Sequence, residues 1–291
     1  MSWTAWILLS AVFLALYDLA KKASAWQNAV LPVLLCSTCF GCAAFVTGLA
    51  VSGGLSAALS AFTPRVIALS AAKSAIVATS WIFTFCALRT LPITIATPIR
   101  ASSPALVFVA ALLLYGEVPS WVQAVGMISV FAGYWTFSWA GRHEGIDFFH
   151  NRAVWFAIAG SCCSAFSSIW DKYVFQVVGA PVESVQFLFQ IGLVVVYALI
   201  LSVQRLAKLP HDRFEWRWTI PFVGILLAVA DWLYFHGLAI PDVPISVASL
   251  MRRFSVAITF VLGALFFHET NLRRKSVALV LILFGIALLC L

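Results

Sequence analysis

Charge is scarce in this 291-residue chain: Asp, Glu, Lys and Arg make up 10% of it, against about 25% in a soluble domain. So little charge cannot cover the surface of a globule this size, and a soluble catalytic domain is excluded. Metal-ligand patterns are missing too. The seven cysteines all lie in apolar runs, and although Cys36, Cys39 and Cys42 share a helix face, no His or second Cys pair completes a zinc pattern. They read as small packing residues. There is no Gly-x-Ser-x-Gly elbow and no phosphate-cradling loop, and the five histidines are scattered. His268-Glu269 starts like a zinc-hydrolase motif, but position 272 is Leu. No catalytic residue, metal or cofactor is assigned.

What is plentiful is apolar. Hydrophobic residues make up 63% of the chain and the mean hydropathy is +1.02. A membrane-spanning helix needs about 20 residues, and ten apolar runs can be read: 3–20, 29–51, 66–88, 93–115, 120–140, 153–176, 184–204, 217–238, 245–267 and 274–291. The expected fold is all-α, a polytopic membrane protein of ten transmembrane helices. The first run resembles a signal peptide, with Ala23-Ser24-Ala25 as a cleavage site, but Lys21-Lys22 follow it and no positive charge precedes it, so it is kept as a mature helix. The net charge of +7 comes mostly from the short gaps between runs, where basic residues set topology and anchor to lipid headgroups. Nucleic acid is therefore not a predicted partner; the bilayer is.

The chain also repeats itself. Phe85-Cys86-Ala87-Leu88, Pro92, Arg100 and Glu117 recur as Phe235-His236-Gly237-Leu238, Pro244, Arg252 and Glu269, with 17 positions from Arg to Glu in both copies. Upstream, Tyr17-Asp18 matches Trp170-Asp171. Three matches in register predict two five-helix repeats, residues 1–141 and 153–291, joined by a loop over 142–152. Because five is odd, the second repeat must cross the bilayer in the opposite sense to the first. Inverted repeats of this kind are a recurring plan of secondary transporters, which bind substrate near the midplane.

These residues carry a family resemblance. The stretch from Ala87 through Ile99-Arg100-Ala101-Ser102-Ser103-Pro104 to Tyr115-Gly116-Glu117, and its second copy from His236 to Phe267-His268-Glu269, resembles the EamA-type drug/metabolite transporter superfamily. The second copy has His-Glu where the first has Gly-Glu. The resemblance spans the chain and implies a permease for small organic metabolites, without naming one.

Charges inside apolar runs face a cavity or a partner, because each costs about 2.5 kcal/mol or more on insertion scales. Asp18, Lys73, Arg100, Asp171, Asp231, Arg252 and Arg253 are such charges, with Lys172 near a boundary. Arg100 falls about 10 Å into the fourth run, flanked by Pro98 and Pro104, which loosen the helix around it. The expected substrate cavity comprises Arg100, Arg252, Asp18, Asp171, Trp81, Tyr234 and His236. Pairing of Arg100 with Asp18 or Asp171 in a kinked packing helix is the structural alternative. His236 reads as a hydrogen-bonded structural residue rather than a proton relay, and Glu117 and Glu269 as helix-end groups. Asp231 is deep in its run and has no acidic counterpart, since Ser80-Trp81 stands opposite Asp231-Trp232; it is the expected proton-coupling site. The expected function is a secondary carrier in the cell membrane, moving a small polar or amphipathic metabolite, such as a zwitterion, by alternating access. The alternatives to a carrier are a receptor or structural membrane protein and, with less in its favour, an integral-membrane enzyme. Oligomeric state is not legible.

Orientation is testable directly. Lys21, Lys22, Arg89, Arg142, Arg152, Arg205, Lys208, Arg213, Arg217, Arg273, Arg274 and Lys275 fall in gaps of one parity, against Arg65 and Lys172 in the other. The positive-inside rule then puts both termini outside the cytoplasm, whereas the family resemblance implies both inside. By the charge count, a reporter that works only in the cytoplasm, fused after Leu291, should be silent in cells; an active fusion reverses the orientation.

Overall fold

The computed structural model describes residues 2–25, 28–90, 103–116, 118–139, 152–208, 213–267 and 272–289. All regular structure among them is helical. The helices are α1 (Trp3–Ala25), α2 (Val30–Val51), α3 (Leu55–Ser60), α4 (Pro64–Thr90), α5 (Ser103–Tyr115), α6 (Trp121–Trp139), α7 (Arg152–Lys172), α8 (Val182–Leu206), α9 (Thr219–Ala239), α10 (Ile245–Arg252), α11 (Phe254–Phe267) and α12 (Leu272–Leu289). Every predicted run contains a helix, and six segments among the described residues are long and apolar enough to cross a membrane: Trp3–Lys21, Val30–Val51, Pro64–Thr84, Arg152–Val177, Val182–Leu206 and Thr219–Leu238. The chain is a polytopic, all-helical membrane protein. Large apolar side chains such as Leu9, Val12 and Leu16 of α1 lie exposed on it, as a lipid-facing surface requires.

Two departures from the expected runs have local causes. The run 245–267 is broken at Arg253, whose N–H bonds back three residues to the Leu250 carbonyl while its own carbonyl accepts from Val256. That tight turn, with Ser249 Oγ donating to the Ser246 carbonyl, splits the run into α10 and α11, each shorter than a span. The run 153–176 ends in a π turn over Tyr173–Val177, closed by Val178 N–H to the Tyr173 carbonyl and released by Gly179 at φ +68°. Wide turns of this kind are rare and concentrate at functional sites.

The chain forms two compact units: Met1–Ala78 with Tyr173–Pro241, and Thr79–Lys172 with Asp242–Leu291. Each draws on both halves of the sequence. In the first unit α9 packs on α1 and α2, and α2 on α8. Ser10 Oγ donates to the Ala230 carbonyl at 2.7 Å, and Asn28 fixes the entry to α9 by bonding both backbone groups of Glu215. In the second, α6 packs on α12, and α7, α5 and α10 pack on one another; Ser80 Oγ donates to the Gly160 carbonyl at 2.8 Å.

Without a hydrophobic drive between helices in lipid, association depends on close packing, and small residues permit it. At the α2–α9 crossing Gly224 lies against Ser37 and Gly41, and a Cβ there would sit 2.7 Å from the Gly41 nitrogen and nearer still to the Ser37 carbonyl oxygen. Backbone cannot yield as a side-chain tip would. Gly224→Val should therefore push α2 off α9 and lower the yield of monodisperse protein several-fold in fluorescence-detected size exclusion. A parent-like profile would show that the crossing is looser than this.

Candidate functional site

Three helices of the first unit turn a polar face inward. On α8 the buried residues Gln186, Phe189, Gln190, Leu193 and Tyr197 recur at the spacing of one helix face. Ala228, Asp231 and Phe235 do the same on α9, and Ser70, Lys73 and Ser74 on α4. Short contacts close the triangle. Ser74 Oγ donates to the Phe189 carbonyl at 3.0 Å, and Gln186 Nε2 to the Ala228 carbonyl at 2.7 Å. The Lys73 ammonium lies 4.1 Å from the centre of the Phe235 ring and 4.8 Å from that of Phe189. Gly192 allows the approach, since a Cβ there would collide with the Ser74 side chain.

The face is polar beyond what packing needs. Lys73 is 2% exposed, yet desolvating an ammonium costs several kcal/mol and a desolvated cation–π contact returns about 2. The rings lower the cost of burial without covering it. Gln186 Oε1, Gln190 Oε1 and Ser70 Oγ are buried and have no hydrogen-bond partner. A buried polar atom left so costs about 1–3 kcal/mol. Two of the three are pure acceptors on one face of α8, one turn apart, and Asp231 at 8% exposure and Tyr234 at 1% belong to the same unit. Such a lining accepts N–H and O–H groups, carries a cation, and has aromatic walls.

A second polar cluster of the first unit lies near the helix ends. His236 Nδ1 is 2.9 Å from the Trp232 carbonyl and Nε2 is 3.2 Å from Glu183 Oε1. Its ring stacks on Trp6 and tilts against Trp232, and those two indoles meet edge to face. Trp6 also contacts Gly237, where a Cβ would come within 3.1 Å of it.

The predicted cavity residues fall in both units. Asp18, half-buried on α1, shares the first with Asp231, Tyr234 and His236. Trp81, Asp171 and Arg252 belong to the second, where α7 and α10, the helices that end at Asp171-Lys172 and Arg252, pack together. Asp171 is buried, Arg252 half-buried, and Lys172 lies 4.7 Å over the Tyr115 ring, whose hydroxyl bonds the Ile169 carbonyl. Arg100, Glu117, Glu269 and the connecting loop up to residue 151 lie outside the described residues. Sequence reasoning marked Lys73 as an intramembrane charge but left it out of the site, and missed Glu183, Gln186 and Gln190. The available signal was three carboxyl or amide residues within eight positions of an apolar run.

Comparison with known proteins adds identity to this geometry. The model of the EamA-like transporter family matches residues 151–291. No curated protein matches. Among 29 matching chains of solved structures, one described as the crystal structure of a protein superposes with a TM-score of 0.74. It covers 97% of this chain and 94% of its own at 20% identity, a likeness of fold. Residues 151–291 thus match the EamA-like transporter family, in keeping with the resemblance read from the sequence, and the chain is a multi-pass, all-helical membrane protein.

Proposed function

We propose that the protein is a secondary carrier of the cell membrane that moves a small polar or amphipathic organic metabolite by alternating access, coupled to protons through Asp231. The observation that carries this reading is the buried polar face of α4, α8 and α9. Membrane helices bury ionisable groups at a price in stability, and such groups mark substrate and ion pathways. Unpartnered acceptors in the same unit as a buried ammonium and a buried carboxyl suit a ligand with its own N–H or O–H donors and an anionic end. A purely structural core would have no use for orphaned amide oxygens.

The two inverted repeats, 1–141 and 153–291, belong to the same proposal. If α1 corresponds to α7 and α4 to α9, then the α1–α9 contact made by Ser10 and Ala230 has its counterpart in the α4–α7 contact made by Ser80 and Gly160. Each is a serine hydroxyl donated to a backbone carbonyl across the equivalent helix pair. Arg100 and Arg252 would then be paired cavity residues, with Asp18, Asp171, Trp81, Tyr234 and His236 around them.

The test is a thermal-shift screen of the purified protein against a metabolite library, since a ligand that binds the folded state raises the apparent melting temperature. Gln190→Leu removes an orphaned acceptor, so the variant should melt as high as the parent or a few degrees higher while losing the shift given by the library hit. A lower melting temperature with the shift retained would make Gln190 structural. In vesicles loaded with that hit, Arg100→Ala and Arg252→Ala should each abolish exchange at an abundance within about twofold of the parent. Loss of folded protein instead would favour the arginines as packing residues paired with Asp18 or Asp171.

A further inference from the structure

We infer that residues 213–218 form, with the end of α1, a binding site for an anionic phospholipid. The segment that leads from α8 into α9 alternates charge and aromatic ring, with Arg213, Glu215 and Arg217 set between Phe214, Trp216 and Trp218. In an extended chain, residues two apart share a side. Both sides show it here. Arg217 Nη2 meets Glu215 Oε2 at 3.4 Å on one, and the Trp216 and Trp218 rings meet edge to face at 6.2 Å on the other. The segment is a strap with a charged edge and an aromatic edge.

Each edge has its own support. Asn28 clamps the strap from the link between α1 and α2, its Nδ2 donating to the Glu215 carbonyl at 2.7 Å and its Oδ1 accepting from the Glu215 N–H at 2.9 Å. Arg217 Nη1 donates to the Ala23 carbonyl in the last turn of α1 at 2.7 Å, and the hydroxyls of Ser24 and Thr219 meet beside it at 2.6 Å. These bonds hold the guanidinium in place, and its planar fork of five N–H donors has more to give than they use. On the aromatic edge Trp216 lies 6.0 Å from the Phe40 ring, which is exposed on the apolar surface of α2, and Trp218 is 80% exposed. A fixed cation at a helix end and an aromatic edge running onto a lipid-facing helix match the two parts of a phospholipid, its phosphodiester and its acyl chain.

Charge selects which phospholipid. Lys21 and Lys22 close α1, Arg205 and Lys208 close α8, and Arg213 and Arg217 stand on the strap, so basic residues gather at the end of the unit where α1 meets the start of α9. The described carboxylates there are Glu215, paired with Arg217, and Asp18, a turn behind Lys22; Asp212 lies outside the described residues. At the opposite end of the same unit the described charges are Arg65 and Glu183, with His236 against the latter. A zwitterionic headgroup carries its own cation into the basic end and is repelled by it. An anionic headgroup brings its phosphate without that cation, and a guanidinium takes phosphate bidentately. Interfacial tryptophans alone anchor a helix end without regard to headgroup charge, and basic residues alone give a diffuse attraction to an anionic surface. The clamped Arg217 beside the aromatic edge makes one site of the two. It stands apart from the carrier reading and from the polar face of α4, α8 and α9.

Full-length protein in uncharged detergent micelles doped with phosphatidylglycerol or phosphatidylcholine tests the site. At equal mole fraction, phosphatidylglycerol should raise the apparent melting temperature by several degrees more than phosphatidylcholine, and that difference should shrink between about 50 and 500 mM salt. Arg213 is exposed, so Arg213→Gln should melt like the parent in phosphatidylcholine and lose most of the difference. Arg65→Gln, at the other end of the unit, should keep it. With brominated acyl chains, phosphatidylglycerol should quench tryptophan emission more than phosphatidylcholine does. Replacing both strap indoles, Trp216→Phe with Trp218→Phe, keeps the aromatic edge and should remove that excess. Equal melting temperatures in the two lipids overturn the proposal, as does excess quenching that survives the loss of both indoles. A loss in Arg213→Gln no larger than in Arg65→Gln overturns it in favour of a diffuse field. The same rise from inorganic phosphate in phosphatidylcholine micelles overturns it in favour of a free-anion site.

Discussion

The Lys73 ammonium, held at 2% exposure in a membrane helix, sets the terms for the first unit. A cation there is shut off from the surface, and a bilayer interior leaves no polar atom unsatisfied cheaply. The sequence around it answers in kind. Phe189 and Phe235 present ring faces, serines at 70 and 74 flank it on α4, and α8 and α9 bring amides and a carboxyl from one helix face each. The rings lower the cost of this burial, while the amide oxygens at 186 and 190 stay without partners. A core assembled for stability would put apolar side chains at 186 and 190, as most of the rest of α8 does.

Close helix approach is the condition for such a face. Gly192 admits Ser74, and Gly224 admits the backbone of α2 at Ser37 and Gly41. Small residues substitute for the hydrophobic drive that lipid removes, and serine hydroxyls then reach across to carbonyls at 2.7–3.0 Å. These bonds differ from the unpartnered amide oxygens in one respect: each ends on a backbone carbonyl of the facing helix. The three serine bonds end on backbone, whereas Gln186 Oε1 and Gln190 Oε1 end on nothing.

Much of the fold was legible because span length and gap charge are one-dimensional properties. The ten runs each contain a helix, and the edges of α2, α6 and α12 fall within two residues of expectation. The turn at Arg253 was not legible, since it is made by backbone bonds three residues apart without a proline or glycine to announce it. Nor was the interleaving of both sequence halves in each compact unit, which depends on which helix faces pair. The site was read through charge, and charge found Lys73, Asp171 and Asp231. It missed Gln186 and Gln190 because an amide in an apolar run carries no sign of whether its oxygen will find a donor. It read His236 as hydrogen-bonded, but not its partner Glu183, 53 positions earlier.

Direction of flux needs an asymmetry, and a repeat supplies none. On the proposed repeat, two equivalent halves would bind and release equally on both sides. Three titratable groups break the match between the halves: Asp231, for which the first half has Ser80; His236, for which it has Cys86; and Glu183 beside it. All three lie on α8 or α9, in one compact unit. Asp231 is buried, whereas the His236–Glu183 pair is partly accessible near the helix ends. The three differ in access to solvent, and on the proposed carrier reading such unequal access would set the two sides of the membrane apart. That difference, rather than the repeat, is what could turn a symmetric scaffold into a directional carrier.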